Sequence, residues 1–352
     1  MWPTATVEAY ETRSRSNAAP ADPPGNTPDD QHTGRAGRIG RADRLRYRYR
    51  PAPGAPAGGA SGLGPTPGVA APAGLPSEYG SPVVAGVIET DDIKESSGLS
   101  ASECQDVLWT HNDSGNDALI YAMSTEGKHL GTWRVVGAQN VDWESVATYK
   151  DPSGKCSLIL GDTGDNDETR PAVELYRVPE PAASTETATS NSLAPLLTEP
   201  AETMRFSYPD GSNDAETALV HPWTGDIYVV TKKKSGPAGV FRMKQAFGTG
   251  TTVQSEKLTD LSVPSTPEGH LTGGSISPDG KRVMLCDLEG GYELVLPDGT
   301  TDPDAIWQQK PVAVDLGDRK QGEGVSYGRD GLSLFASSEK KNSPLYLIKR
   351  QQ

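Results

Sequence analysis

The 352-residue chain has only three cysteines and four phenylalanines, and none of its apolar runs approaches the roughly 18–20 residues that span a bilayer. No membrane span is expected, and no apolar core near the N-terminus reads as an export signal. Cys104, Cys156 and Cys286 match neither a zinc site nor a CxxC redox pair. Their odd number leaves at least one thiol unpaired. Cys104 can bridge to either of the others, although Cys156 and Cys286 sit in apolar strand patterns and read as small buried hydrophobes. Also missing are G-x-S-x-G, H-E-x-x-H and phosphate-cradling glycine motifs, so no familiar catalytic signature announces itself. Long 3.6-residue amphipathic periods are absent too, which argues against a helical architecture.

Positive charge is scarce where it would matter for polyanions. The formal net charge is -14, while residues 1–82 hold nine Lys/Arg against seven Asp/Glu, so the remainder carries -16. Such a domain repels phosphate backbones and anionic bilayers, and nucleic acid is not expected as a partner. Residues 1–80, with runs such as ADPPGNTPDD and a basic stretch ending at Arg50, hold too little apolar surface to offset the entropy of ordering. They are expected to be a disordered Pro/Gly/Ala-rich segment, leaving residues 81–352 as the folded domain.

What is present in that domain is a repeat. SSGLSAS from Ser96, DWESVATYK from Asp142, DAETALVHP from Asp214, TGGSISPDG from Thr272 and QGEGVSYGRDG from Gln321 each open a unit. A turn and a strongly apolar strand follow each opening (VLWTHND, CSLILGD, DIYVVTKK, RVMLCDLE, SLFASSE), and then usually a third strand with an aromatic. Whole four-strand units recurring this way predict an all-β, five-bladed β-propeller, with six blades as the alternative if the Pro/Ser/Thr-rich insertion in the second unit hides more strand. The fifth unit lacks a fourth strand. The isolated run SPVVAGVIET, Ser81 to Thr90, is expected to supply it and close the ring.

In a propeller the innermost strand of each blade starts at the face to which the turn between second and third strands returns. This places Ser97, Asp142, Glu144, Asp214, Glu216 and Glu323 around one channel mouth, together with the loops HNDSGND, GDTGDNDE, Lys232–Lys234 and Glu339. Crowded carboxylates raise one another's pKa unless a cation compensates them, and Ca²⁺ or Mg²⁺ accepts such oxygen donors. The candidate metal ligands are Glu144, Glu216, Glu323, Asp142 and Asp162, and the candidate catalytic groups are Glu144, Glu323 and His111. Trp143, beside Glu144, is a candidate stacking surface for a sugar or base. The DTGDND segment lacks the full calcium-loop pattern and reads as an Asx-turn cluster.

The phrases SSGLSAS, LWTHNDSG, NVDWESVA, GDTGDN, LYRVPEP, DAETALVHP, IYVVTK, SPDGKRV and QGEGVSY resemble those of a group of bacterial, often exported, β-propeller proteins. In architecture the acidic layout is similar to the calcium-dependent apyrases, whose five-bladed ring holds Ca²⁺ centrally. Here Gly273 and Gly274 leave the fourth unit without an opening carboxylate. Two functions are compatible with this reading. One is a monomeric binding or scaffold module meeting a protein, a glycan or a small anionic metabolite through a divalent cation. The other is a Ca²⁺- or Mg²⁺-dependent hydrolase of phosphate or other esters. Glycoside cleavage would need two suitably separated carboxylates, for which Glu144 and Glu323 are available.

Overall fold

The computed structural model describes residues 78–264 and 269–351. Apart from its last three residues, the N-terminal segment expected to be disordered lies outside that range. Residues 78 onward form five sheets arranged as the blades of a β-propeller. Blade I runs from the inside outward as Ser96–Ala101, Leu108–Asn112, Leu119–Met123 and His129–Arg134. Blade II is Trp143–Lys150, Cys156–Asp162, Val173–Pro179 and Glu202–Ser207. Blade III is Thr217–Val220, Ile227–Val230, Ala238–Met243 and Glu256–Leu261. Blade IV is Gly273–Ile276, Arg282–Cys286, Gly291–Val295 and Val312–Val314. Blade V is Gly322–Tyr327, Ser333–Ser338, Pro344–Lys349 and the early strand Val83–Val87.

The apolar runs exist because both faces of each blade are covered. Along IYVV in blade III, Ile227 and Val229 enter the core shared with blade II, while Tyr228 and Val230 enter the core shared with blade IV. A strand buried on both sides reads as continuous β-branched and aromatic sequence rather than as an alternation. One hydrophobic cluster fills each of the five seams between blades. The tight turns SPDG and GRDG place Gly280 and Gly331 at φ of 63° and 64°, a left-handed conformation that glycine adopts without strain.

The insertion in the second unit hides no sixth blade. Its two-residue strand Leu196–Leu197 adds in parallel to the outer edge of blade I. The stretch TVQSEKL divides between two blades. Thr252–Gln254 joins blade II in parallel and Glu256–Leu261 completes blade III, with Ser255 turning between them.

The ring closes as the sequence predicts. Val83–Val87 pairs antiparallel with Pro344–Lys349, and Tyr79 bridges Arg350. Buried Glu293 of blade IV locks this seam, accepting from the Tyr79 hydroxyl at 2.7 Å, the Tyr327 hydroxyl at 2.8 Å and Arg350 at 3.2 Å.

Cys104 and Cys156 form a disulfide, and Cys286 is a buried thiol. Cys156 is therefore not the buried small hydrophobe its strand pattern suggested. It opens its strand at the rim, half-buried, opposite the exposed turn that carries Cys104. The bond ties blade I to blade II across a sequence separation of 52. Reduction is expected to lower stability by about 2–4 kcal/mol, seen as a lower melting temperature with reductant. An unchanged melt would assign the bond no stabilising role.

Candidate functional site

The inner strands of blades II and V each begin with a β-bulge. In blade II, Trp143 pairs with Asp162 and Ser145 with Gly161, leaving Glu144 as the extra residue. In blade V, Gly322 pairs with Ser338 and Gly324 with Ser337, leaving Glu323 as the extra residue. A bulge re-aims the side chain it displaces. Glu144 and Glu323 are both buried and charge-coupled to Glu216, which immediately precedes the inner strand of blade III. Of the three glutamates expected at one mouth, Glu216 thus acts through its charge on both of the others.

Asp113, Asp142 and Glu144 form the tightest group, each offering a carboxylate oxygen, with these oxygens all within 4.8 Å of one another. Two blades contribute, and Asn140 fastens them. Its side-chain amide donates to the carbonyls of Asn112 at 3.2 Å and Asp113 at 3.0 Å, while its oxygen accepts from Trp143 N at 3.0 Å. Ser97 donates to Glu144 Oε2 at 3.3 Å. Gly164 leaves the niche open, since a Cβ there would collide with Asp142 Oδ2 and fall 2.7 Å from Glu144 Oε1.

Burial, followed by the charges of Glu216, Asp113 and Asp142, pushes Glu144 well above the usual carboxylate range. Burial and then Asp113 push Asp142 up to about 6, and burial raises Asp113. Carboxylates crowded this way retain protons or take up a cation. An all-oxygen donor set of this kind suits a hard divalent ion. A second geometric grouping, Cys104, Cys156 and Glu180, offers no thiolate, because both sulfurs are spent on the disulfide.

Lys232 supplies the opposing charge. It follows the second strand of blade III, and its ammonium pairs with Glu216 Oε1. Burial weakens its charged form, but Glu216, followed by Glu323 and Glu144, outweighs this and keeps it protonated. Beside it opens a cavity of about 460 Å³ lined by Asn166, Glu168, Asp214 and Lys232–Lys234, among others.

The remaining sequence candidates fall elsewhere. Asp162 is fully buried, accepting from Asp142 N at 3.1 Å and Val141 N at 3.3 Å and pairing with Arg170 at 2.9 Å. It holds the backbone under Asp142 rather than joining the three-carboxylate group. His111 is fully buried against the edge of Trp143, and desolvation lowers its pKa to about 4, keeping the ring neutral. Trp143 is itself fully buried, with Nε1 donating to Gln139 O at 2.8 Å, so it presents no stacking face. In the GDTGDNDE loop the Asp165 carboxylate accepts from Thr169 N at 2.9 Å and Arg170 N at 2.7 Å, four and five residues on, so it organises the loop without the two-residue spacing of an Asx-turn. Asp113 and Lys232 were placed at the mouth by the loop count, but nothing in their local sequence marks them as carboxylate partners.

A pH dependence follows. Burial, opposed by Lys232, raises Glu216 to about 7. Burial and then Asp113 raise Glu339 to about 7. Both lie above the ordinary 4.5 of an unfolded glutamate, so the folded chain binds protons that the unfolded chain releases. Their contribution is complete below that ordinary value and is lost as pH rises through about 7. In chelator, the melting temperature should therefore fall from about pH 5 to 8, and Ca²⁺ should flatten the fall. A pH-independent melt in chelator would contradict this.

No protein-family model and no curated protein matches the chain. Among solved structures, it resembles a gluconolactonase from Xanthomonas campestris at 13% identity, covering 76% of this chain and 89% of that one with a TM-score of 0.40.

Proposed function

We propose that this propeller is a divalent-cation-dependent hydrolase of phosphate or other anionic esters, with Asp113, Asp142 and Glu144 holding the ion. The observation that carries the reading is the convergence of those three carboxylates within 4.8 Å in a niche that Gly164 keeps open. An ion bound there would polarise a substrate oxygen and make a coordinated water more acidic. Lys233 and Lys234 line the adjacent cavity and would attract the anionic part of the ester. Lys233 is positioned by Glu168 at 3.0 Å and by Asn213 at 2.7 Å. Glu323, on the inner strand of blade V and acted on by the charge of Lys232, would take a proton from the attacking water.

The test is turnover by the purified chain against phosphate monoesters, phosphate diesters and carboxylic esters, with Ca²⁺, with Mg²⁺ and with chelator. The expected result is hydrolysis that chelator abolishes. No turnover in any arm would overturn the enzyme reading and leave the mouth as a binding surface for a protein, glycan or small anionic metabolite. Gly164→Ala places a methyl group between Asp142 and Glu144, so cation affinity should fall at least about tenfold with circular dichroism unchanged. Calorimetry showing undiminished binding would remove this niche from the proposal.

A further inference from the structure

The channel holds a second charge arrangement beside the three-carboxylate group. Glu144, Glu216 and Glu323 arrive from three different blades, and the charge of Glu216 acts on both of the others. The Lys232 ammonium pairs with Glu216 Oε1, and its charge acts on Glu323 and Glu144 as well. Glu216 Oε2 is buried with no hydrogen-bond partner among the described residues, in a residue only 4% exposed. Leaving a carboxylate oxygen undonated in such surroundings is costly. One ammonium carries a single charge and three donors, so it satisfies one glutamate and leaves the ring as a whole undercompensated.

We propose that the Lys232 ammonium is the resident cation of the axial position among Glu144, Glu216 and Glu323, tethered where a divalent ion would otherwise sit. Lys232 then sets how many ions the channel takes. With it in place, divalent binding is confined to the side group of Asp113, Asp142 and Glu144. Without it, the axial glutamates become a further oxygen-lined site, to which Glu216 Oε2 offers an uncommitted ligand. Glu144 borders both positions, so the two are electrostatically linked. The inference stands apart from the hydrolase reading because it concerns a difference between variants, whatever number of ions the native chain binds.

The experiment is calorimetric titration of the full chain with Ca²⁺, comparing the native protein with Lys232→Met and Lys232→Arg. Met keeps the length of the stem and removes the charge, whereas Arg keeps the charge. Lys232→Met is expected to bind one more Ca²⁺ per chain than the native protein, and Lys232→Arg the native number. Equal stoichiometry in native protein and Lys232→Met, both shown folded by circular dichroism, overturns the proposal. Should Lys232→Met prove unfolded without metal, the proposal requires Ca²⁺ to restore a cooperative melt. Failure to restore it, with Lys232→Gln behaving the same way, overturns the proposal equally. If the native chain binds no Ca²⁺, the hydrolase reading fails on its own, while a single ion gained by Lys232→Met still supports the tethered cation.

Discussion

Glu144→Gln should abolish Ca²⁺ binding at the mouth while leaving the propeller folded. The substitution preserves shape and keeps an oxygen able to accept from Ser97, but it removes one of the three negative charges that converge there. Divalent ions respond to charge more steeply than hydrogen-bond donors do, so a neutral amide is a poor replacement. At Ca²⁺ concentrations about a hundredfold above its Kd, the native chain gains about 2.7 kcal/mol, a rise of about 5–10 °C in melting temperature for a domain of this size. Glu144→Gln should lose that rise altogether and lose turnover by more than about 100-fold. Because the variant also relieves repulsion within the acidic group, its melt in chelator should match or exceed that of the native chain. A Ca²⁺-dependent rise of native size in Glu144→Gln would end the assignment of this residue as a ligand.

The other large effect concerns the ring itself. A chain beginning at residue 89 lacks Tyr79, the strand Val83–Val87 and Ile88. It therefore removes an outer strand from blade V together with buried side chains from two seams. It also withdraws the Tyr79 hydroxyl from buried Glu293. Domain stabilities lie at about 5–15 kcal/mol, and burying one large apolar side chain contributes about 1.5–3 kcal/mol. Losing two such side chains, a strand ladder and part of the Glu293 network consumes most of that margin. The truncated chain should show no cooperative melt. Glu293→Ala removes the acceptor that Tyr79, Tyr327 and Arg350 share at the same seam, while Arg350 keeps Glu78, and should lose about 1–3 kcal/mol. A cooperative melt of the truncated chain near the native temperature would show that the seam is not what holds the ring closed.

The fold was legible because propeller strands repeat the same physical demand. A strand covered on both faces has to be apolar throughout, as in IYVV, and the hairpin turns between strands recur as SPDG and GRDG. The unpaired fifth unit and the orphan run near Val83 pointed to each other for the same reason. The acidic mouth followed from topology alone, because strand order fixes which ends of the strands share a face. Which carboxylates actually meet did not follow. Asp162 carries the same charge as Asp113, yet two backbone amides and Arg170 claim it. Asp113 instead leans from a neighbouring blade toward Asp142 and Glu144. That choice depends on Asn140 joining two blades, a contact with no local sequence signature. Lys232 reads as one of three consecutive surface lysines, and only the juxtaposition with Glu216 distinguishes it. The two short parallel strands were hidden for a related reason: segments of two or three residues leave too little pattern to detect.

Those short strands matter for how the molecule behaves at high concentration. Leu196–Leu197 and Thr252–Gln254 lie along the outermost strands of blades I and II and occupy backbone groups that would otherwise invite a foreign strand. Among the described residues the rim of blade V, like those of blades III and IV, has no such cover. On blade V, Val83, Val84 and Val87 are 54%, 58% and 42% exposed, and a bulge between Val84 and Gly86 interrupts the ladder. Self-association into sheet-extended aggregates should therefore start at blade V, where the bulge is the local obstacle to a long uninterrupted template.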